Sequence, residues 1–152
     1  TAKLFEASAR LAAVLAASST LVEEACATYG QALGTAFQII DDVLDYDGDS
    51  AEMGKNLGDD LREGKATLPL IAAMQRGTPA QAATVREAIE NGNTDQLDAI
   101  AHIVRSTGAL DVARNAAAAE AQRAIAALEQ LPSNEYSAAL HQLASQLLAR
   151  RT

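Results

Sequence analysis

The amino-acid sequence predicts an all-α fold, with residues 1–152 forming a single helical domain. Of the 152 residues, 49% are hydrophobic, mostly Ala and Leu, whereas aromatic residues make up only 3%. Ala and Leu favour helices most strongly, and strands need the β-branched and aromatic residues that are scarce here. Capping residues and glycines also divide the chain into segments of helical length. These observations together predict a helical bundle.

The first helix is predicted from apolar residues at helical spacing and runs to about Ala17. Those residues are Leu4, Phe5, Leu11, Val14 and Leu15. Ser18-Ser19-Thr20 then breaks the first helix and caps the second, and Glu23 stands three residues after Thr20, as in a capping box. The sequence therefore predicts a sharp boundary between two adjacent helices.

The second helix is predicted over residues 21–46 and contains Gly30 and Gly34. Glycine lowers helix stability, so the pair predicts close packing against another helix. Residues 47–58, rich in Asp and Gly, are predicted to form a loop, and a helical turn is expected over residues 59–63.

Five further helices are predicted from capping residues, glycines and prolines. Their boundaries are Thr67 to about Gly77 with Pro69 near the start, Thr78-Pro79 to Asn91-Gly92-Asn93, Thr94 to about Gly108, Leu110 to Leu131, and Pro132-Ser133-Asn134 to about Arg150. Residues 37–70 carry the chemically unusual side chains, and the helices over 78–151 are predicted to be scaffold.

The negative charge is concentrated in one segment. The net charge is −8, and residues 38–67 hold nine acidic residues against three basic ones. Such a segment attracts multivalent cations and argues against nucleic acid, whose binding needs a basic surface. A solvated acidic loop is the alternative interpretation of the charge alone.

Gln38, Asp41, Asp42 and Asp45 fall on one face of a helix that is otherwise apolar. Burying a carboxylate costs several kcal/mol unless a partner compensates it, and a divalent cation does so directly. Because the ligands are hard oxygens without His or Cys support, the predicted ion is Mg²⁺, or else Mn²⁺.

Lys55 and Lys65 add positive charge beside this cluster, as a diphosphate ligand would require. An acidic helix end facing water is the alternative, but it does not explain the shared face. A calcium loop starting at Asp45 is disfavoured, because Gly48 stands two positions early and Asn56 replaces the required Glu.

Other candidate sites are weak. Cys26 is the only cysteine, so no disulfide framework or thiolate metal site is expected. His102 and His141 are isolated and are interpreted as surface or helical histidines. No signal peptide or membrane-spanning segment is predicted, so the expected location is the cytoplasm.

The acidic motif resembles a known family. Phe37-Gln-x-x-Asp-Asp-x-x-Asp45, followed by Gly-Lys55-Asn-x-Gly-Asp-Asp60-Leu-x-Glu-Gly-Lys65-x-Thr-Leu-Pro69, resembles the second aspartate-rich region of trans-polyprenyl diphosphate synthases. The opening Thr1-Ala-x-Leu-Phe5 is similar to the segment after that family's Lys-Thr pair. The resemblance is strong over residues 1–70 and looser afterwards.

The resemblance implies an isoprenoid synthase bundle that condenses isopentenyl diphosphate with an allylic diphosphate through a carbocation, using Mg²⁺. By this resemblance, Asp41 would bind the metal directly, and Asp42, Asp45 and Asp60 would bind it mainly through water. Lys55 and Lys65 would bind the diphosphate. Gln38 and Thr1 would border the carbocation, and Phe37 would contact the homoallylic substrate.

The family's first aspartate-rich motif is not in the sequence, so the chain is interpreted as a C-terminal half. It is expected to be inactive by itself, to need the N-terminal half as partner, and to form a homodimer at full length. The alternative is a non-catalytic regulatory subunit or a helical interaction module with an acidic metal-binding patch. A terpene cyclase fits poorly, because its second metal motif usually mixes Asn, Ser and Glu.

Overall fold

The computed structural model describes residues 1–47, 59–92 and 95–149. The helices are α1 (Ala2–Leu15), α2 (Thr20–Asp47), α3 (Asp59–Arg62), α4 (Leu68–Arg76), α5 (Pro79–Asn91), α6 (Leu97–Ser106), α7 (Ala109–Ala127) and α8 (Glu135–Leu147), with a 3₁₀ turn at Leu128–Gln130. The described residues contain no strand, and the prediction of an all-α fold is confirmed. Most of the predicted loop over 47–58 and the predicted Thr94 cap lie outside the described residues.

The start of α2 differs from the predicted capping box. Thr20 is already the first helical residue, and the hydroxyl of Ser19 accepts from the backbone N–H of Val22 at 3.4 Å. The side chain of Glu23 accepts from Arg10 at 2.8 Å instead of returning to the helix end. The cap predicted over Ser18-Ser19-Thr20 is confirmed at Ser19, but the Thr20–Glu23 box is wrong, because the helix already begins at Thr20 and Arg10 holds the Glu23 carboxylate.

Other helix ends agree with the predicted capping residues and glycines. Thr78 forms a capping box with Gln81 at the start of α5, and Gly92 ends that helix in the left-handed conformation with φ of 60°. Asn134 caps α8 by accepting from the backbone N–H groups of Tyr136 and Ser137. Glycine adopts the left-handed conformation without the steric cost of a Cβ, and for this reason the sequence predicts a helix end at Gly92.

Contacts divide the chain into two compact units, Thr1–Ile40 with Ala116–Arg150 and Asp41–Asn115 with Arg151–Thr152. The assignment of residues 1–152 to a single helical domain stays a prediction. Helix α2 contributes residues 20–40 to the first unit and residues 41–47 to the second.

In the first unit, α1, α2, α7 and α8 surround a small apolar core. Its buried residues are Tyr29, Ala32, Leu33, Ala124, Leu128 and Ala144. A Cβ on Gly30 would lie 2.4 Å from the carbonyl oxygen of Phe5, and one on Gly34 would lie 2.8 Å from the Cα of Ala2. The two glycines thus let α1 and α2 approach closely, which confirms the packing predicted for them.

In the second unit, α4 packs against α5 and α6, and α3 packs against α5. The largest fully buried side chains of these helices are Leu61, Pro69, Leu70, Val85, Ile100 and Val104. Arg76 Nε donates to the carbonyl of Thr107 at 2.8 Å and so joins the end of α4 to the end of α6. None of the helices in the described ranges has the length and apolar character needed to cross a bilayer.

Candidate metal and diphosphate site

The last turns of α2 carry carboxylates into a buried region of the second unit. Val43 and Leu44 are buried in these turns. Asp42 beside them is only 8% exposed, and Asp41 and Asp45 are half-buried. Acidic side chains therefore lie among the buried apolar residues of α2, as the sequence predicted. Carboxylates in such surroundings need hydrogen bonds or a cation.

Asp45 and Asp60 are brought together although 15 positions separate them in sequence. A side-chain hydrogen bond joins the two carboxyl groups. Burial, that hydrogen bond and the negative charges of Asp60, Asp41 and Asp42 raise the pKa of Asp45 to about 7. The pair therefore holds a proton near neutral pH that a cation would have to replace.

Lys65 is held beside this pair by two acidic residues. Its Nζ lies 3.1 Å from Asp60 Oδ1 and 2.6 Å from Glu63 Oε2. Hydrogen bonds first to Glu63 and then to Asp60 raise the pKa of Lys65 above its ordinary value, so the ammonium stays charged. Glu63 belongs to the motif that carries the family resemblance, but the sequence predicted no role for it.

Two hydroxyls are buried next to the carboxyl pair. Tyr46 is 0% exposed and Thr67 is 9% exposed. Burial and then the charges of Asp45 and Asp60 raise the pKa of the Tyr46 phenol, whereas a side-chain hydrogen bond with Thr67 acts in the opposite direction. Thr67 occupies the N-cap position of α4, as predicted, but its side chain makes no capping hydrogen bond.

The C-terminal end of α2 is attached to two later helices. Arg105 of α6 donates from Nε to the carbonyl oxygen of Tyr46 at 2.9 Å, and Arg114 of α7 forms an ion pair with Asp47. Both cations also suit the negative end of the α2 dipole. The sequence did not predict that either arginine would hold the end of α2. Arg105 lies 59 positions from Tyr46 and Arg114 lies 67 positions from Asp47, and no sequence pattern connects residues so far apart.

The donor set suits a divalent cation that keeps water and phosphate in its shell, rather than a cation enclosed by protein ligands alone. Among the residues that the structure describes, no three acidic, His or Cys side chains converge enough to hold a metal ion. Mg²⁺ usually takes only one or two carboxylates and completes its shell with waters and substrate phosphates. The Asp45–Asp60 pair, with Asp41 one turn before Asp45, offers carboxyl groups both for direct binding and for water-mediated binding, and Lys65 stands beside the pair for an anion.

The other predicted site residues have different settings. Lys55 lies outside the described residues. Gln38 and Phe37 are half-buried on the part of α2 that belongs to the first unit. The Phe37 ring lies 5.8 Å from that of Phe5, and both line an apolar cleft of about 600 Å³. Thr1 is exposed at the N-cap of α1, and its hydroxyl makes no capping hydrogen bond.

Comparison with known proteins agrees with this geometry. A family model described as polyprenyl synthetase matches residues 1–107. The octaprenyl diphosphate synthase of Haemophilus influenzae is 49% identical over 145 residues, covering 95% of this chain and 44% of that protein. The geranyl-diphosphate-specific all-trans-nonaprenyl-diphosphate synthase of Rhodobacter capsulatus is 45% identical, covering 99% of this chain and 46% of that protein.

Solved structures show the same fold. The polyprenyl synthase of Caulobacter crescentus, complexed with calcium and isoprenyl diphosphate, superposes with a TM-score of 0.89 at 42% identity, covering 100% of this chain and 47% of that one. The chain thus spans about half the length of the relatives it matches. From the acidic turns of α2, the matched residues and the shared fold, the chain belongs to the polyprenyl synthetase family.

Proposed function

We propose that the full-length protein containing this chain is a prenyltransferase that condenses isopentenyl diphosphate with an allylic diphosphate to give a polyprenyl diphosphate. The observation that carries the proposal is the Asp45–Asp60 carboxyl pair with Lys65 beside it, built from the family's motif. Relatives at 45% and 49% identity are named nonaprenyl and octaprenyl synthases, which favours a long-chain product. We propose the cytoplasm as its location and a homodimer as its assembly.

The acidic residues would hold Mg²⁺ in this proposal. Asp41 would bind it directly, and Asp42, Asp45 and Asp60 would act mainly through bound water. Bound Mg²⁺ would neutralise the charge that grows on the diphosphate as the allylic C–O bond breaks. The calcium and isoprenyl diphosphate in the Caulobacter structure's description are consistent with a divalent ion next to a diphosphate.

The basic residues would bind the leaving diphosphate. Lys65 Nζ lies beside Asp60 while the side chain is 55% exposed, which leaves its ammonium accessible to a phosphate oxygen. Lys55 is proposed to act with it. Gln38 and Thr1 are proposed to border the carbocation and Phe37 to contact isopentenyl diphosphate, as the resemblance implies. Residues 1–152 by themselves are proposed to bind Mg²⁺ and diphosphate weakly without turnover.

The test is a condensation assay of the full-length protein with isopentenyl diphosphate, a series of allylic primers and Mg²⁺, with product lengths measured by chromatography. Asp41→Ala is expected to lower kcat/KM roughly 100-fold or more, since it removes a group that stabilises developing charge. Asp98→Ala is the matched control, because Asp98 is an exposed aspartate in α6 outside the motif.

Full-length protein that makes no product, with a metal response that Asp41→Ala leaves unchanged, would contradict the prenyltransferase proposal and favour the regulatory subunit. Robust turnover by residues 1–152 alone would contradict the proposal that this chain needs its missing half.

A further inference from the structure

The last turn of α2 is helical although its own residues do not favour a helix end there. The last four carbonyl groups of a helix lack partners within it, and the negative end of the helix dipole disfavours acidic side chains. This turn nevertheless contains Asp45 and Asp47 and no basic residue. Aspartate also has a low helix propensity. Contacts from other helices therefore have to keep the turn in place.

Two arginines from later helices make such contacts. Arg105 of α6 donates from Nε to the carbonyl oxygen of Tyr46 at 2.9 Å, which satisfies one of the terminal carbonyl groups. Arg114 of α7 forms an ion pair with the carboxylate of Asp47, the last residue of α2. One arginine thus binds the backbone of the turn, and the other compensates an acidic side chain at the negative end of the helix.

The short connection between α6 and α7 brings the two arginines to the same helix end. Helix α6 ends at Ser106 and α7 begins at Ala109. Gly108 makes the turn between them in the left-handed conformation, with φ of 70°, and the carbonyl of Thr107 accepts from Arg76 of α4 at 2.8 Å. This connection, both arginines and residues 41–47 of α2 all belong to the second unit.

A third arginine offers a comparison. Arg123 of α7 donates to Gln31 Oε1 on α2 at 3.1 Å and forms an ion pair with Glu120 at 2.7 Å. Its side chain is 41% exposed, the same fraction as that of Arg114. Arg123 therefore joins α7 to α2 as Arg114 does, but it does so within the first unit and away from the acidic turn.

We propose that Arg105 and Arg114 are positioning residues for the acidic site. By holding the end of α2, they keep its last turn helical, and the helical turn keeps Asp45 on the same face as Asp41, where both carboxylates can face one cation. The proposal rests on the proposed function, since it requires a cation at this cluster. Residues that orient metal-binding carboxylates raise the affinity for the metal.

The charges of the two arginines alone would have the opposite effect on metal binding. A guanidinium near a cation site repels the cation, so its removal would strengthen cation binding if only charge mattered. Removal of a positioning residue weakens binding instead. The direction of the change in affinity therefore distinguishes positioning from charge.

The test is titration of the full-length protein with Mn²⁺ in the absence of substrate, with free Mn²⁺ measured by electron paramagnetic resonance. The binding lost in Asp41→Ala defines the share that belongs to this cluster. Arg105→Met and Arg114→Met remove the charge and the donors at similar side-chain length, and each is expected to weaken that share about three- to tenfold. Arg105→Lys and Arg114→Lys keep a charged donor and are expected to recover part of the affinity.

Arg123→Met is the matched control, because it removes an equally exposed arginine that joins the same two helices. It is expected to leave Mn²⁺ affinity unchanged. Unfolding in urea without cation is measured for the three methionine variants, so that affinities are compared between folded proteins.

The outcomes distinguish the two proposals. If Asp41→Ala binds Mn²⁺ like the unchanged protein, the proposed function fails, and this inference with it. If Asp41→Ala loses binding but Arg105→Met and Arg114→Met bind Mn²⁺ as before or more tightly, the positioning role alone is wrong. Equal weakening in Arg123→Met, or weakening that neither lysine variant relieves, would assign the effect to general helix packing and would also overturn the inference.

Discussion

At the scale of single residues, the pairing of Asp45 with Asp60 changes the pH at which the acidic site becomes charged. The pKa of Asp45 is raised to about 7, first by burial and then by Asp60, Asp41 and Asp42. An unfolded aspartate titrates near pH 4, so between these values the folded protein binds the extra proton. This group therefore stabilises the fold at low pH, and its contribution is lost as the pH rises through about 7.

A pH series on the cation-free protein tests this sign. The free energy of unfolding, measured with urea in the presence of a chelator, is expected to fall by about 2 kcal/mol between pH 5 and pH 8, allowing for solvent screening. Asp45→Asn should flatten this dependence, because the amide is neutral at both pH values. Added Mg²⁺ should stabilise the unchanged protein more at pH 8 than at pH 5. An unaltered slope in Asp45→Asn would show that other groups control the pH dependence.

At this scale, the sequence did not predict which side chains would pair with each other. The sequence placed Asp41, Asp42 and Asp45 on one helix face because helical period alone decides that. It did not show that Glu63 would hold Lys65, or that the Thr67 hydroxyl would leave its cap. Such choices depend on which alternative partners lie within about 3 Å, and only the packed structure supplies those distances.

At the scale of helices, the approach of α1 to α2 depends on two residues without side chains. A Cβ on Gly30 would meet the backbone carbonyl of Phe5 at 2.4 Å, and the backbone cannot rotate away as a side-chain end can. Alanine would favour an isolated helix at this position by about 1 kcal/mol. The clash outweighs that gain, because the two helices would have to separate.

Gly30→Ala is accordingly expected to destabilise the protein by about 1–3 kcal/mol. Chemical denaturation of the full-length protein measures the change. Ser8→Ala is the control, since Ser8 is exposed on α1 and reports helix propensity without a clash. If Gly30→Ala is as stable as the unchanged protein, α1 and α2 do not depend on this close contact.

Helix ends show why element boundaries were only partly predictable. Gly92 and Asn134 could be predicted because their own conformation or side chain terminates the helix. The predicted Thr20–Glu23 capping box is wrong, because Ser19 of the predicted Ser18-Ser19-Thr20 cap lies at the helix start and Arg10 holds the Glu23 carboxylate. A local signal fails where a residue from another helix offers a charged partner.

At the scale of the whole molecule, α1 presents apolar side chains to solvent. Leu4 and Leu15 are 71% and 79% exposed, and Leu11 and Val14 are also exposed on the same helix. An apolar patch of this kind promotes association. Since the chain spans about half the length of its relatives, we expect residues 1–152 to self-associate and to bind a hydrophobic dye.

Sedimentation of residues 1–152 over a range of concentrations measures that association. Leu11→Glu with Leu15→Glu is expected to shift the chain toward monomer and to reduce dye fluorescence. Tyr136→Glu on α8, where Tyr136 is 73% exposed, is a control for added charge outside α1. Concentration-independent sedimentation of the unchanged chain would contradict the prediction.

The ion pair of Arg114 with Asp47 bears on where the chain can be shortened. The family model ends its match at residue 107, so a truncation there would retain every residue of the acidic motif and the Arg105 hydrogen bond. It would remove Arg114, and with it an attachment at the end of the acidic helix, together with Ala124, Leu128 and Ala144 of the first unit's core. A shortened chain could therefore match its family fully while holding Asp45 less firmly, since sequence similarity does not count the residues that hold a motif in place.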